Sequence, residues 1–254
     1  MTAIYEPTGK AREYAALACN PYLGCTHGCH YCYAPGALRK FRAEFHAAAA
    51  PRSDILEALA REAPNYAGDE REVLLSFIGD LYQPAEEREL LARRALGILA
   101  DWGVPATVLT KNPALAVLRD LDILKRGQMR LGTTVVFAQE SSRQAWEPGA
   151  SGLADRYNAM RVARAEGLKT WLSIEPVIYP EQALTVIREY AAVVDEIKIG
   201  RLNHLPTGPI SPSGPIVPVV DWAAFAAEAS ALCRQLGVRY TLKESLRRIS
   251  GGND

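Results

Sequence analysis

A chain of 254 residues with 48% hydrophobic content is long enough for one α/β barrel or two small domains, with a sizeable core. Its 29 basic and 29 acidic residues cancel, which disfavours a broad nucleic-acid face; a local patch at Arg39, Lys40 and Arg42 reads better as a solvated helix face. No apolar run approaches a membrane span, and the N-terminal stretch lacks a signal peptide's basic-then-apolar order, so a cytoplasmic protein without membrane contact is expected. In chain order, a weak strand over Ala15 to Cys19 leads into a cysteine-bearing loop. Helices follow over Ala37 to Phe45 and Ser53 to Arg61, the second with Ser53 as its cap. Val73 to Ile78 is a strand, Ala85 to Trp102 a long amphipathic helix, and Ala106 to Leu109 a strand. Pro113 to Lys125 is helical, and the β-branched run Leu131 to Phe137 is a buried strand. Helix Leu153 to Glu166, strand Thr170 to Ile174, helix Pro180 to Ala192 and strand Glu196 to Ile199 complete the alternation. After a Pro/Gly-rich loop from Pro206 to Pro218 come helix Trp222 to Leu236 and strand Val238 to Leu242. This gives six βα units and a seventh strand, hence a parallel sheet with its site at the strands' C-terminal ends. Pattern alone leaves a doubly wound sheet as the alternative.

The loop Asn20 to Pro35 holds Cys25, Cys29 and Cys32, three of the five cysteines, spaced C-x3-C-x2-C. Clustered thiolates are soft ligands and suit zinc, Cu(I) or iron–sulfur. His27 and His30 interleave with them, so a zinc site, and with it a non-enzymatic zinc or nucleic-acid-binding protein, is one reading. Structural zinc usually takes two separated ligand pairs, and no second pair is present. An odd cysteine count disfavours a disulfide framework, and free thiols suit a reducing compartment. Three ligands would leave one iron of a 4Fe–4S cluster open to a small molecule.

This spacing, with Tyr31 before the third cysteine, resembles the radical S-adenosylmethionine (SAM) superfamily. The resemblance is strongest to its spore photoproduct lyase-like group, through the pieces NPYLGC, HGC, YCY, D-YQP-E, LTKNP, LRDLD and WEPG. It implies a partial (β/α)6 barrel and a 4Fe–4S cluster on Cys25, Cys29 and Cys32. It also implies a flavodoxin- or ferredoxin-type electron donor, and SAM cleaved to a 5′-deoxyadenosyl radical that abstracts hydrogen from a substrate. No linker divides the chain, so one domain is expected over 1–254, with a core over about 15–204 and an extension over 205–254.

The strand ends carry the candidate residues. By the resemblance, Tyr31, Gly79, Asp80, Thr110, Lys111, Ser141 and Glu175 are expected to contact SAM. Asp80 replaces the usual acid of a Gly-Gly-Glu motif and offers an acceptor for the SAM ammonium, and Lys111 offers a partner for its carboxylate. Arg201, Asn203 and His204 crowd the end of the sixth strand and, with Glu140, are substrate candidates. The lyases use a further cysteine near the end of the second strand to return a hydrogen atom. Here Val73 to Asp80 contains none, which sets this chain apart from DNA photoproduct repair.

Overall fold

The computed structural model describes residues 2–203, 205, 207–211 and 214–249. Seven strands form one sheet: β1 (Leu17–Cys19), β2 (Val73–Leu75), β3 (Ala106–Thr110), β4 (Arg130–Thr134), β5 (Lys169–Val177), β6 (Glu196–Arg201) and β7 (Arg239–Leu242). They lie in sequential order, and every pairing is parallel. A doubly wound sheet reverses its strand order at a switch point, and this one never does. The crossovers carry α1 (Ile55–Glu62), α2 (Leu91–Asp101), α3 (Pro113–Arg126), α4 (Leu153–Ala165), α5 (Pro180–Tyr190) and α6 (Trp222–Gln235), giving six βα units and a seventh strand.

Alternation along the strands separates two faces. Val73, Leu75, Val108, Leu131, Leu172, Ile174, Ile197 and Ile199 pack against Leu59, Leu96, Leu124, Met160, Ile187 and Phe225 of the helices in the main core. Leu74 and Trp171 point the other way and cluster with Tyr14, Ala15, Phe77 and Leu109. Trp171 lies over Gly132, its register partner, where a Cβ would stand 2.3 Å from the indole. Its Nε1 donates to Thr107 Oγ1 at 2.9 Å, so the indole plugs the inner face below the strand ends. Among the described residues, no helix is long and apolar enough to cross a membrane.

Several elements differ from their expected extents. The helix expected over Ala37 to Phe45 is two short ones, Ala34–Ala37 and Arg42–Ala47, parted by Arg39 at φ 53°. The helix expected from Ala85 breaks at Leu90, because the buried Glu86 carboxylate takes the Leu91 N–H at 3.0 Å and starts α2 anew. Ser53 does not cap α1; its hydroxyl donates to the neighbouring Asp54 carboxylate. Strand β4 stops at Thr134, three residues early, while β5 runs on through Glu175 and Pro176 to Val177.

Candidate active site

The cysteine loop leaves β1 and is held from every side by residues distant in sequence. Gly24, at φ +77°, sits so close to the chain that a Cβ there would lie 2.1 Å from the Ala48 carbonyl oxygen. Gln83 accepts from Thr26 N at 3.1 Å and donates to Gly24 O at 3.3 Å. Arg42 donates to Cys32 O at 2.9 Å and to Cys29 O at 2.6 Å, and His46 Nδ1 lies 2.8 Å from Cys25 O. The segment Trp146 to Gly149, whose sequence alone suggests no role, is a brace. Trp146 O accepts from His30 N, and Gly149 N donates to His27 O, each at 2.9 Å.

The remaining shared pieces form a second tier behind the loop. Tyr22 donates to Glu86, Arg119 binds Glu86 Oε1 at 2.6 Å and Asp120 Oδ2 at 2.7 Å, and Tyr82 donates to Asp120 at 2.9 Å. Glu147 accepts the Tyr31 hydroxyl and pairs with Arg156 at 2.7 Å, both charges wholly buried. Burial would raise the Glu147 carboxyl, but Arg156, Lys111 and the Tyr31 hydroxyl hold it below its ordinary value. Glu147, Arg156, Gln83 and Arg42 were not among the expected functional residues.

A cavity of about 250 Å³ opens over the strand ends. Cys25, Cys29 and Cys32 face it together with Tyr31, Gly79, Asp80, Thr110 and Lys111. Lys111 Nζ lies 5.4 Å from the Tyr31 ring centre. Burial disfavours the Lys111 charge, yet Cys29 as a thiolate, Glu147 and Asp80 outweigh it and raise its pKa. Asp80 is engaged otherwise than expected. Its Oδ1 accepts from Tyr82 N at 2.9 Å and Thr110 Oγ1 at 2.6 Å, and its Oδ2 accepts from Lys111 N at 2.7 Å. His27 Nδ1 stands 3.5 Å from the same carboxylate. Asp80 is thus tied into the junction of the second and third strand ends, with little acceptor capacity left for an ammonium.

Two expected residues stand outside the cavity. Strand β4 ends early, and Val135 to Phe137 lead into a separate apolar cluster with Trp146. Glu140 and Ser141 therefore fall on the exposed side of the helix Glu140–Trp146, where Glu140 pairs with Arg143 at 2.6 Å and accepts Leu153 N. The opposite wall carries Arg201 and Asn203 and also Glu175, which is expected from sequence to contact SAM instead, while His204 lies outside the described residues. Tyr14 and Ser173 join this wall, and Ser76 lines the cavity beside Gly79 and Asp80. Tyr14 donates to Glu175 and lies 3.1 Å from Ser173 Oγ; burial and the Glu175 charge keep its phenol neutral by raising its pKa far above the ordinary value. Lys243, after β7, places Nζ 3.3 Å from the Tyr14 ring centre and 3.9 Å from Glu175 Oε2. Arg201 Nε donates to Asn203 Oδ1 at 3.2 Å. The β5–β6 register slips between Ile174 and Val177, and Gly200 leaves room for the Glu175 carboxylate, which a Cβ would meet at 2.7 Å.

Three soft thiol donors from one loop suit an iron–sulfur cluster, in which each cysteine ligates a different iron. Of the interleaved histidines, His27 is buried against Asp80, and His30 is partly exposed. Burial pushes the thiols up, Cys29 to about 12, and a bound cationic centre would favour their thiolate forms.

The family model of the radical SAM superfamily matches residues 19–192. Protein MJ0683 of Methanocaldococcus jannaschii is 25% identical over 168 residues, 65% of this chain and 61% of that one. Protein Rv2578c of Mycobacterium tuberculosis is 27% identical over 174 residues, 63% of this chain and 48% of that one. The match thus spans about half to three fifths of these relatives' length. Among solved structures, spore photoproduct lyase complexed with dinucleoside spore photoproduct superposes with a TM-score of 0.69 at 16% identity, covering 94% of this chain and 79% of that one. Streptococcus suis SuiB bound to S-adenosylmethionine gives 0.65 at 12% identity, covering 92% and 52%. These superpositions show a shared fold, and the family model covers most of the chain. The chain belongs to the radical SAM superfamily.

Proposed function

We propose that this chain is a radical SAM enzyme whose Cys25, Cys29 and Cys32 hold a 4Fe–4S cluster and whose Lys111 binds the SAM carboxylate. One observation carries the reading: three thiols from one loop open onto a single cavity that also holds a buried cation. When bound, the cluster and SAM supply a 5′-deoxyadenosyl radical, after one-electron reduction by a flavodoxin- or ferredoxin-type donor. The protein orients and shields the reacting groups. Tyr31 and Thr110 shape the cofactor side, with Thr110 itself fixed by Asp80. The ammonium role passes from Asp80 to the strip Ser76 to Gly79, where the buried Ser76 hydroxyl has no hydrogen-bond partner among the described residues.

The substrate is assigned to the wall of Tyr14, Ser173, Glu175, Arg201 and Asn203. Arg201 suits a carboxylate or phosphate, which its planar fork can hold in two bonds. Repair of a DNA photoproduct through a cysteine hydrogen donor is the weaker reading. The two cysteines outside the loop are wholly buried in the main core, Cys19 in β1 and Cys233 in α6. Anaerobic reconstitution tests the proposal. The wild type should take up about four irons per chain and cleave SAM with dithionite. Cys25→Ala, Cys29→Ala and Cys32→Ala should each lose both, and full iron loading in all three would overturn the assignment.

A further inference from the structure

The basic run beside the cysteine loop is solvent-exposed, as its sequence suggests, and it also carries apolar side chains. Gly36 to Glu44 is exposed at every position and includes the turn at Arg39 between the two short helices. Phe41 is 84% and Leu38 40% exposed, with Arg39, Lys40 and Arg42 among them and Glu44 as the one acid, 3.3 Å from Lys40. An apolar centre rimmed by cations suits an acidic protein partner. Its location narrows the choice. Arg42 carries exposed surface on one side, and on the other its two terminal nitrogens donate to the carbonyls of Cys29 and Cys32. Here the backbone of two proposed cluster ligands is one side chain from solvent, apart from the substrate wall.

We infer that Leu38 to Arg42 is the docking surface for a small acidic one-electron carrier protein, seated over the backbone of Cys29 and Cys32. This rests on the cluster assignment above. One electron leaves the reduced carrier, which is thereby oxidised, and would reduce the cluster by one electron; no atom changes hands. A small patch suffices, since transient redox encounters bury less surface than stable complexes do. Cationic steering speeds such encounters and weakens with added salt. A duplex binder neutralises many phosphates in a row, and three cations offset by Glu44 are too few for that.

Calorimetric titration of the cluster-loaded protein with oxidised bacterial flavodoxin tests the inference. The wild type should bind, more weakly as salt is raised, and Lys40→Glu and Phe41→Ala should each weaken binding by about tenfold. Both variants should retain wild-type SAM cleavage with dithionite, a reductant that needs no docking. Absent binding to wild type, or equal binding by wild type and Lys40→Glu, would overturn the docking surface. So would a duplex DNA titration in which Lys40→Glu abolishes binding while flavodoxin does not bind. Failure of dithionite-driven cleavage in the wild type would instead count against the function proposed above.

Discussion

Replacing Glu147 by Gln keeps the side chain's shape and removes one charge from a wholly buried pair. Arg156 would retain its hydrogen bonds to Ser151 O at 3.0 and 2.8 Å and to Thr134 O at 2.9 Å, but these acceptors are neutral. Breaking a buried ion pair from one side costs about 3–5 kcal/mol, since the survivor is left uncompensated. For a chain of this size each kcal/mol shifts the melting temperature by about 2–4 °C, so the apo protein should melt roughly 6–20 °C lower. The double variant Glu147→Gln with Arg156→Met should recover part of that loss, because no unpaired charge remains. Glu147 also helps keep Lys111 charged, so SAM affinity in the loaded protein should fall as well. The pH dependence follows from the depressed carboxyl pKa. Its stabilisation is fully present above the ordinary Glu value of about 4.3 and is lost as pH falls through the lower folded value. The gap between wild type and Glu147→Gln should therefore narrow in acid. Apo melts within about 2 °C of each other near neutral pH would refute the brace.

Lys111→Met removes one partner of a desolvated charge pair, worth about 2–5 kcal/mol; SAM affinity by calorimetry should fall by roughly thirtyfold or more with iron content unchanged. Gly149→Ala would set a Cβ 2.6 Å from Thr26 O and 3.0 Å from His27 Cα, both backbone, so the loop must move. Iron uptake on reconstitution should drop, whereas Gly97→Ala, where a Cβ meets nothing within 4 Å, should leave it unchanged. Lys243 is held by burial at a pKa of about 8, below its ordinary 10.5, despite Glu175 and Glu13. The folded state sheds this proton first, so stability should rise with pH across that window, and Lys243→Met should abolish the rise in thermal melts.

Legibility from sequence followed locality. The three thiols lie within eight positions, and the strands announce themselves as apolar runs, so the cysteine loop and the fold both show in the sequence. Asp80 shows a different limit. A strand-end acid is visible, but the β2–β3 register that sets Thr110 and Lys111 N against it is not. Glu140 and Ser141 look like strand-end residues only if β4 continues to Phe137; its early stop moves them to the exposed surface. The Tyr31–Glu147 contact joins residues 116 positions apart and has no local trace. An acid inside the apolar setting of Trp146 and Pro148 was the available hint, since an unpaired buried charge is too costly to keep.

The two walls of the cavity are supported by different means. On the cofactor side, Gln83, Arg42, His46 and the Trp146 to Gly149 brace each bind loop backbone, and buried ion pairs back them. A change there moves the cysteines. On the opposite wall, Ser173, Glu175, Arg201 and Asn203 project from two adjacent strands or just beyond them, where the register slips and Gly200 leaves space. A change there alters what the cavity accepts without disturbing the loop. Cofactor chemistry demands a loop whose backbone is held by side chains that are themselves fixed, while a wall carried by strand-end side chains can be refitted to a new substrate. The shared sequence pieces lie almost wholly in the first group, so resemblance reports the chemistry of this chain far better than it reports the molecule on which that chemistry acts.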